Sequence, residues 1–283
     1  MEKIKLSNGE NINKLGQGTW NMGENLQNVN SEIATIKKGI DLGLNLLDTA
    51  EMYGEGNSER FISKAIEGVS RDDLFIVSKV YPHNACNKKL EKSLDKSLKN
   101  LKTDYLDMYL LHWKGSVPLE ETVFALEEQV KKGKIKSWGV SNFDTRDMEQ
   151  LLQIENGKNC RVNQVMYHLG SRGVEYDLLP YLTEQNIVLM AYCPLAQAGR
   201  LKSDIWTNNV VNDIAKKYNV SVANVLLNFI MRHKNVIAIP KASKISNVED
   251  NARSLDFSLT DEDINLLNTE FPAPTTKQYL DIV

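Results

Sequence analysis

The sequence predicts an α/β protein: one (β/α)8 barrel of the TIM type over residues 1–283, with an N-terminal β-hairpin closing the barrel bottom. Three observations carry this. Eight short apolar runs alternate with amphipathic stretches of helical period. Most of the runs are near-continuous in Val, Ile and Leu, as parallel strands covered on both faces should be. The rival doubly wound sheet needs a phosphate fingerprint after its first strand. Gly16-Gln17-Gly18-Thr19-Trp20-Asn21 puts Asn21 where the last glycine should stand, and no P-loop occurs.

The elements follow in order. Residues 3–6 and 10–13 pair around Asn8-Gly9 as the hairpin. Strands are expected at 15–20, 45–48, 74–80, 105–111, 137–141, 161–166, 187–192 and 236–239. The first helix carries Ile33, Ile36 and Ile40, with Asn30 or Ser31 as its cap. The next, 87–101, places Leu90, Leu94, Leu98 and Leu101 on one face. Helices at 119–131, 145–153, 176–185, 208–218 with 222–231, and 245–252 continue the pattern.

Composition narrows the function classes. Hydrophobic residues make up 42% and charged residues 25%, an ordinary globular profile. A net charge of −3 favours neither nucleic acid nor an anionic membrane as partner. The lysines around Gly133 read as a solvated face. Cys86, Cys160 and Cys193 are odd in number and widely spaced, which suggests no disulfide framework and no metal site, and suits the cytoplasm. The N-terminus has no signal-like apolar core, and no run reaches membrane-spanning length. The expected partner is a small molecule. A monomer is the default, with a dimer left open.

In barrels of this kind the chemistry sits beyond the carboxyl ends of the strands. The second strand ends in Asp48 and its loop carries Tyr53; the third ends in Lys79 and the fourth in His112. Taken singly, Asp48 caps a turn, Lys79 snorkels and His112 is a core histidine. Together they form a proton relay. A phenol is a poor acid at neutral pH, and a neighbouring ammonium lowers its pKa. A carboxylate keeps that lysine charged and oriented, and a histidine aims a carbonyl at the phenol. No side chain supplies a hydride, so a cofactor must.

These residues resemble the catalytic tetrad of the aldo-keto reductases. The matching segments are Asp48-Thr49-Ala50-Glu51-Met52-Tyr53-Gly54, Lys79 and Leu110-Leu111-His112-Trp113, and the resemblance covers essentially the whole chain. It implies reversible aldehyde or ketone reduction with NADPH (NADP+) bound without a Rossmann domain. Gly18, Thr19, Trp20 and Asp48 then border the cofactor, and Ser141, Asn142 and Gln164 hold its carboxamide. Tyr192 stacks on the nicotinamide. Pro194 and Leu195 open a small-residue loop, residues 194–201, expected over the pyrophosphate. Ile239, Lys241, Ser243, Asn247, Asp250 and Asn251 match the segment for the 2′-phosphate and adenine. Asn247 stands where many members have arginine, Asp250 where they have glutamate, and Cys193 where a serine is common. NADPH is favoured through Lys241, with NADH as the weaker alternative. Trp20, Tyr53, Tyr81, His112 and Trp113 are expected to wall the substrate pocket, left open by a short polar tail.

Two other readings compete. A cofactor-binding regulatory subunit of the same barrel family is disfavoured by the intact tetrad. A phosphate-binding isomerase would want a glycine-rich loop after the seventh or eighth strand, which Lys241-Ala242-Ser243 is not.

Overall fold

Every central strand carries two packing surfaces, one toward the barrel axis and one toward the helices. The structure, a computed structural model, describes residues 2–25, 27–196 and 202–283. β1 (Lys3–Lys5) and β2 (Asn11–Asn13) form the antiparallel hairpin. Its turn needs the left-handed backbone that Gly9 adopts at φ +92°. Eight parallel strands follow: β3 (Gln17–Gly18), β4 (Leu46–Asp48), β5 (Phe75–Val80), β6 (Leu106–Leu111), β7 (Ile135–Ser141), β8 (Cys160–Met166), β9 (Val188–Tyr192) and β10 (Val236–Ala238). Each pairs with its neighbour in chain order. Parallel bridges between Leu15 and Ala238 and between Gly18 and Lys241 close the ring, with Gly16 N donating to Ala238 O at 2.9 Å.

The inward surface holds Leu46, Val77, Met108, Leu110, Val162, Val188, Met190 and Ile237. Ile4, Leu6 and Ile12 of the hairpin pack into this same cluster and plug the barrel bottom, as expected. The outward surface, with Leu47, Ile76, Tyr109 and Trp138, meets the helices. Each fully buried aliphatic or aromatic side chain stabilises by roughly 1.5–3 kcal/mol, so both layers matter.

The helices are α1 (Val29–Asp41), α2 (Asn57–Ala65), α3 (Asn87–Leu101), α4 (Leu119–Lys131), α5 (Thr145–Gln153), α6 (Leu178–Glu184), α7 (Lys202–Thr207), α8 (Asn209–Tyr218), α9 (Val222–Met231), α10 (Ile245–Arg253) and α11 (Asp261–Glu270). Three differences from the sequence expectation have physical causes. α1 starts at Val29, and Ser31 turns its hydroxyl back onto Asn28 O at 2.8 Å instead of capping. α2 escapes the periodicity because its buried face includes Ser58, Glu59 and Ser63. α11 has an apolar face too weak to see, yet a Thr260–Asp263 capping box starts it. No helix among the described residues is long and apolar enough to cross a membrane.

Candidate active site

The two-residue pleat sorts each strand into tiers. Climbing the inward face leads from Leu46 to Asp48, from Val77 to Lys79, from Leu110 to His112, from Val162 to Gln164 and from Met190 to Tyr192. Apolar groups fill the lower barrel and polar groups crown it. Tyr53 reaches the crown from the loop after β4. A tight turn at Tyr53–Gly56, with Gly54, Glu55 and Gly56 all left-handed, holds it there, and Tyr53 N donates to Ala50 O at 3.1 Å.

Lys79 lies at the centre, with no exposed surface. Its Nζ donates to Asp48 Oδ2 at 2.8 Å, to Thr49 O at 2.8 Å and to Tyr53 Oη at 3.2 Å. An ammonium has three N–H donors, and all are used. Because Tyr53 Oη accepts from Lys79, its own proton is free to point away from the lysine. Burial pushes the Tyr53 phenol well up, and Asp48 and then Cys193 push the same way. The expected acidification by the lysine is therefore outweighed: the phenol stays protonated. Burial lowers Lys79 in turn, while Asp48 opposes that fall by charge and by hydrogen bond.

His112 sits edge-on to Tyr53, ring centroids 5.8 Å apart. Burial, then Lys79, lowers its pKa to about 3, so the imidazole is neutral. Its Nδ1 is buried with no partner among the described residues. The amides form a connected band. Gln164 Nε2 donates to Asp48 Oδ1 at 2.7 Å, and Ser141 Oγ to Gln164 O at 2.8 Å. Asn142 Nδ2 donates to His112 O at 3.2 Å, and Tyr192 Oη to Asn142 Oδ1 at 2.9 Å.

These groups open on a cavity of about 380 Å³. Of the residues expected there, its wall includes Gly18, Thr19, Trp20, Asp48, Tyr53, His112, Trp113, Ser141, Asn142, Gln164, Tyr192, Ile239 and Lys241. Lys79 lies beneath, behind Asp48 and Tyr53. Tyr81 is off the wall and packs edge-on behind Trp113 at 5.9 Å. Ser243 lines a neighbouring cleft that shares Asn21 and Lys241 with the cavity. Pro194 and Leu195 are buried off the wall, and Leu195 O accepts from Trp206 Nε1 at 3.1 Å. The rest of that loop, residues 197–201, lies outside the described residues. Asn247 is exposed on α10, Asn251 is buried there, and Asp250 accepts from Ser221 Oγ at 2.5 Å.

Three wall residues were given no role in the sequence, Asn21, Met52 and Val283, while Cys193, also on the wall, was noted there as a departure from the family's serine. Asn21 and Met52 adjoin residues that were found, so proximity was the available signal. Val283 had none, and the bulky Tyr279 of the tail is 95% exposed.

The chain is similar to known proteins over nearly its whole length. Residues 14–269 match the model of the Aldo/keto reductase family. The chain is 49% identical over 280 residues to the methylglyoxal reductase YeaE of Escherichia coli, covering 99% of this chain and 98% of that protein. It is 36% identical over 269 residues to the glyoxal reductase of Bacillus subtilis, covering 94% and 92%. An aldo/keto reductase from Klebsiella pneumoniae, crystallised with NADP and acetate, superposes with a TM-score of 0.96 at 45% identity over 99% of both chains.

Proposed function

The chain belongs to the aldo/keto reductase family, and from that premise we propose that it reduces small reactive carbonyls, foremost α-dicarbonyls such as methylglyoxal and glyoxal, with Tyr53 as proton donor. It is an NADPH-dependent oxidoreductase. The donor set fits that cofactor. Ser141, Asn142 and Gln164 can hold the carboxamide, Tyr192 offers an aromatic face, and Lys241 offers a cation for a phosphate. NADPH supplies the hydride for the carbonyl carbon.

The observation that carries the reading is the three-way contact of Lys79. It leaves the Tyr53 proton free, and burial keeps that proton in place until a carbonyl oxygen takes it. The phenolate left behind is stabilised by the Lys79 N–H already aimed at its oxygen. Asp48 holds the lysine, and neutral His112 orients the carbonyl by hydrogen bond without competing for the proton. Trp20 and Trp113, both more than a third exposed at the mouth, offer apolar faces to the substrate. A cavity that must also seat the nicotinamide suits a small substrate.

One chain holds the whole tetrad, so a single domain acting as a monomer suffices. Cys86, Cys160 and Cys193 form no disulfide among the described residues, and such thiols suit a reducing compartment such as the cytoplasm. The test is the loss of reduced-nicotinamide absorbance when purified protein meets methylglyoxal or glyoxal. Turnover with NADPH, slower with NADH, is expected. Tight NADPH binding without turnover of either dicarbonyl would overturn the proposal.

A further inference from the structure

Behind the tetrad, on the helix side of the barrel wall, Ser58 and Glu59 open α2 with no exposed surface. Ser58 sits in a line of hydroxyls: Thr49 Oγ1 donates to Ser58 Oγ at 3.3 Å, Ser58 Oγ to Thr19 Oγ1 at 2.8 Å, and Thr19 Oγ1 to Asp48 O at 2.9 Å. Glu59 reaches the next strand, accepting from Ser78 Oγ at 2.8 Å and from Asn100 Nδ2 at 2.9 Å. Two adjacent residues thus grip the segments just past β3 and β4, together with β5 and α3.

Glu59 is unusual among these groups. No ion pair reaches it among the described residues, and both of its donors are neutral. A buried carboxylate without a paired cation is disfavoured unless something else repays its desolvation. The cation nearest along the strand is Lys79, the residue after Ser78. We propose that Glu59 is a positioning residue of the reductase centre, holding β5 through Ser78 while its charge sustains Lys79 as the ammonium beneath Tyr53. This rests on the reductase reading above.

Lys79 Nζ contacts Asp48 and Tyr53, His112 stands edge-on to Tyr53, and Glu59 is bonded to Ser78, the residue before Lys79 on β5. Glu59 itself accepts from Ser78 and Asn100, and the buried Tyr109 phenol is pushed up by burial first and then by the charges of Glu51 and Glu59. Arg60 on the same helix turns to Asn57 and Asn100 instead. Removing the Glu59 charge removes support from the ammonium, which then loses its proton at lower pH.

The experiment is the pH profile of kcat for methylglyoxal reduction in wild type, Glu59→Gln, Glu59→Asp and Ser78→Ala, with NADPH affinity measured alongside. In E59Q the alkaline limb is expected to move down by about half a pH unit or more, with NADPH affinity kept. E59D, which retains the charge, should return the limb to its wild-type position. An E59Q profile superimposed on wild type, or a limb that falls equally in E59D, overturns the role of Glu59. If E59Q fails to fold, S78A decides. It leaves the carboxylate one donor short, and kcat should fall about fivefold with NADPH affinity unchanged. Wild-type kcat and profile in S78A overturn the proposal. Absence of turnover in the wild type itself would instead overturn the reductase reading.

Discussion

Lys79 Nζ and Tyr53 Oη stand 3.2 Å apart, and the hydrogen bond runs from nitrogen to oxygen. That direction makes the phenol an acceptor toward the protein and a donor toward the cavity. Two facts reinforce it: the other two lysine protons are committed to Asp48 and Thr49, and burial disfavours the phenolate. In the proposed reaction the pair gives up its proton to the carbonyl oxygen as that oxygen develops negative charge.

Tyr53→Phe removes that proton and little else. Turnover of methylglyoxal should fall about 100-fold or more, the usual contribution of a positioned general acid. NADPH affinity, read by fluorescence titration, should stay within about twofold. Retained turnover would remove Tyr53 from the mechanism.

Lys79→Met leaves Asp48 as a buried carboxylate whose Oδ2 has lost its cation. Urea unfolding should show a loss of about 3–5 kcal/mol. Asp48→Asn combined with Lys79→Met removes both charges and should recover much of that stability, since a neutral pair has less desolvation to offset. Turnover should stay lost in both. Equal stabilities for the single and double variants would show that the ion pair matters little to folding.

His112 carries a pH dependence of stability. Folding lowers its pKa from 6.5 to about 3, so between those values the unfolded chain binds the extra proton. Stability is unaffected above about pH 6.5 and falls as the medium is acidified toward 3, by up to about 1.4 kcal/mol per pH unit. His112→Gln should flatten this part of the stability–pH curve. His233, also lowered, to about 4, is present in both proteins and cancels in the comparison. Identical acid slopes would count against a buried neutral His112.

Lys241 borders both the cavity and the neighbouring cleft that holds Ser243. Lys241→Ala should weaken NADPH binding about tenfold or more, as loss of a charged hydrogen-bond donor does, and leave NADH nearly unchanged. Asn247, exposed on α10, is placed to accept a second cation, so Asn247→Arg should tighten NADPH and not NADH. Equal effects on the two cofactors would mean that neither position meets the 2′-phosphate.

Much of this was legible because it is local. Strand ends are written in runs of a few residues, so Asp48, Lys79, His112, Gln164 and Tyr192 could be placed at one level from pattern alone. The segment after β10 was less legible. Lys241 faces the cavity, but Asp250 is spent on Ser221, the cap of α9, and nothing in the local sequence announces that partner. Helix α2 escaped notice for a related reason, since its buried face is partly polar.

By itself the sequence determined the barrel and its order of strands, and it set Asp48, Lys79 and His112 at the strand ends with Tyr53 in the loop after the second. The barrel follows from periodicity, and the family chemistry from motifs that resemble those of the aldo-keto reductases. Only the tertiary structure decided the proton's direction. Whether Lys79 acidifies Tyr53 or merely braces it depends on burial and on three simultaneous hydrogen bonds between residues about thirty positions apart. The same is true of Glu59, whose charge acquires meaning only once folding brings α2 and α3 against β5. Desolvation and long-range contact are properties of the packed chain, and they set the chemistry of residues whose positions the sequence had already marked.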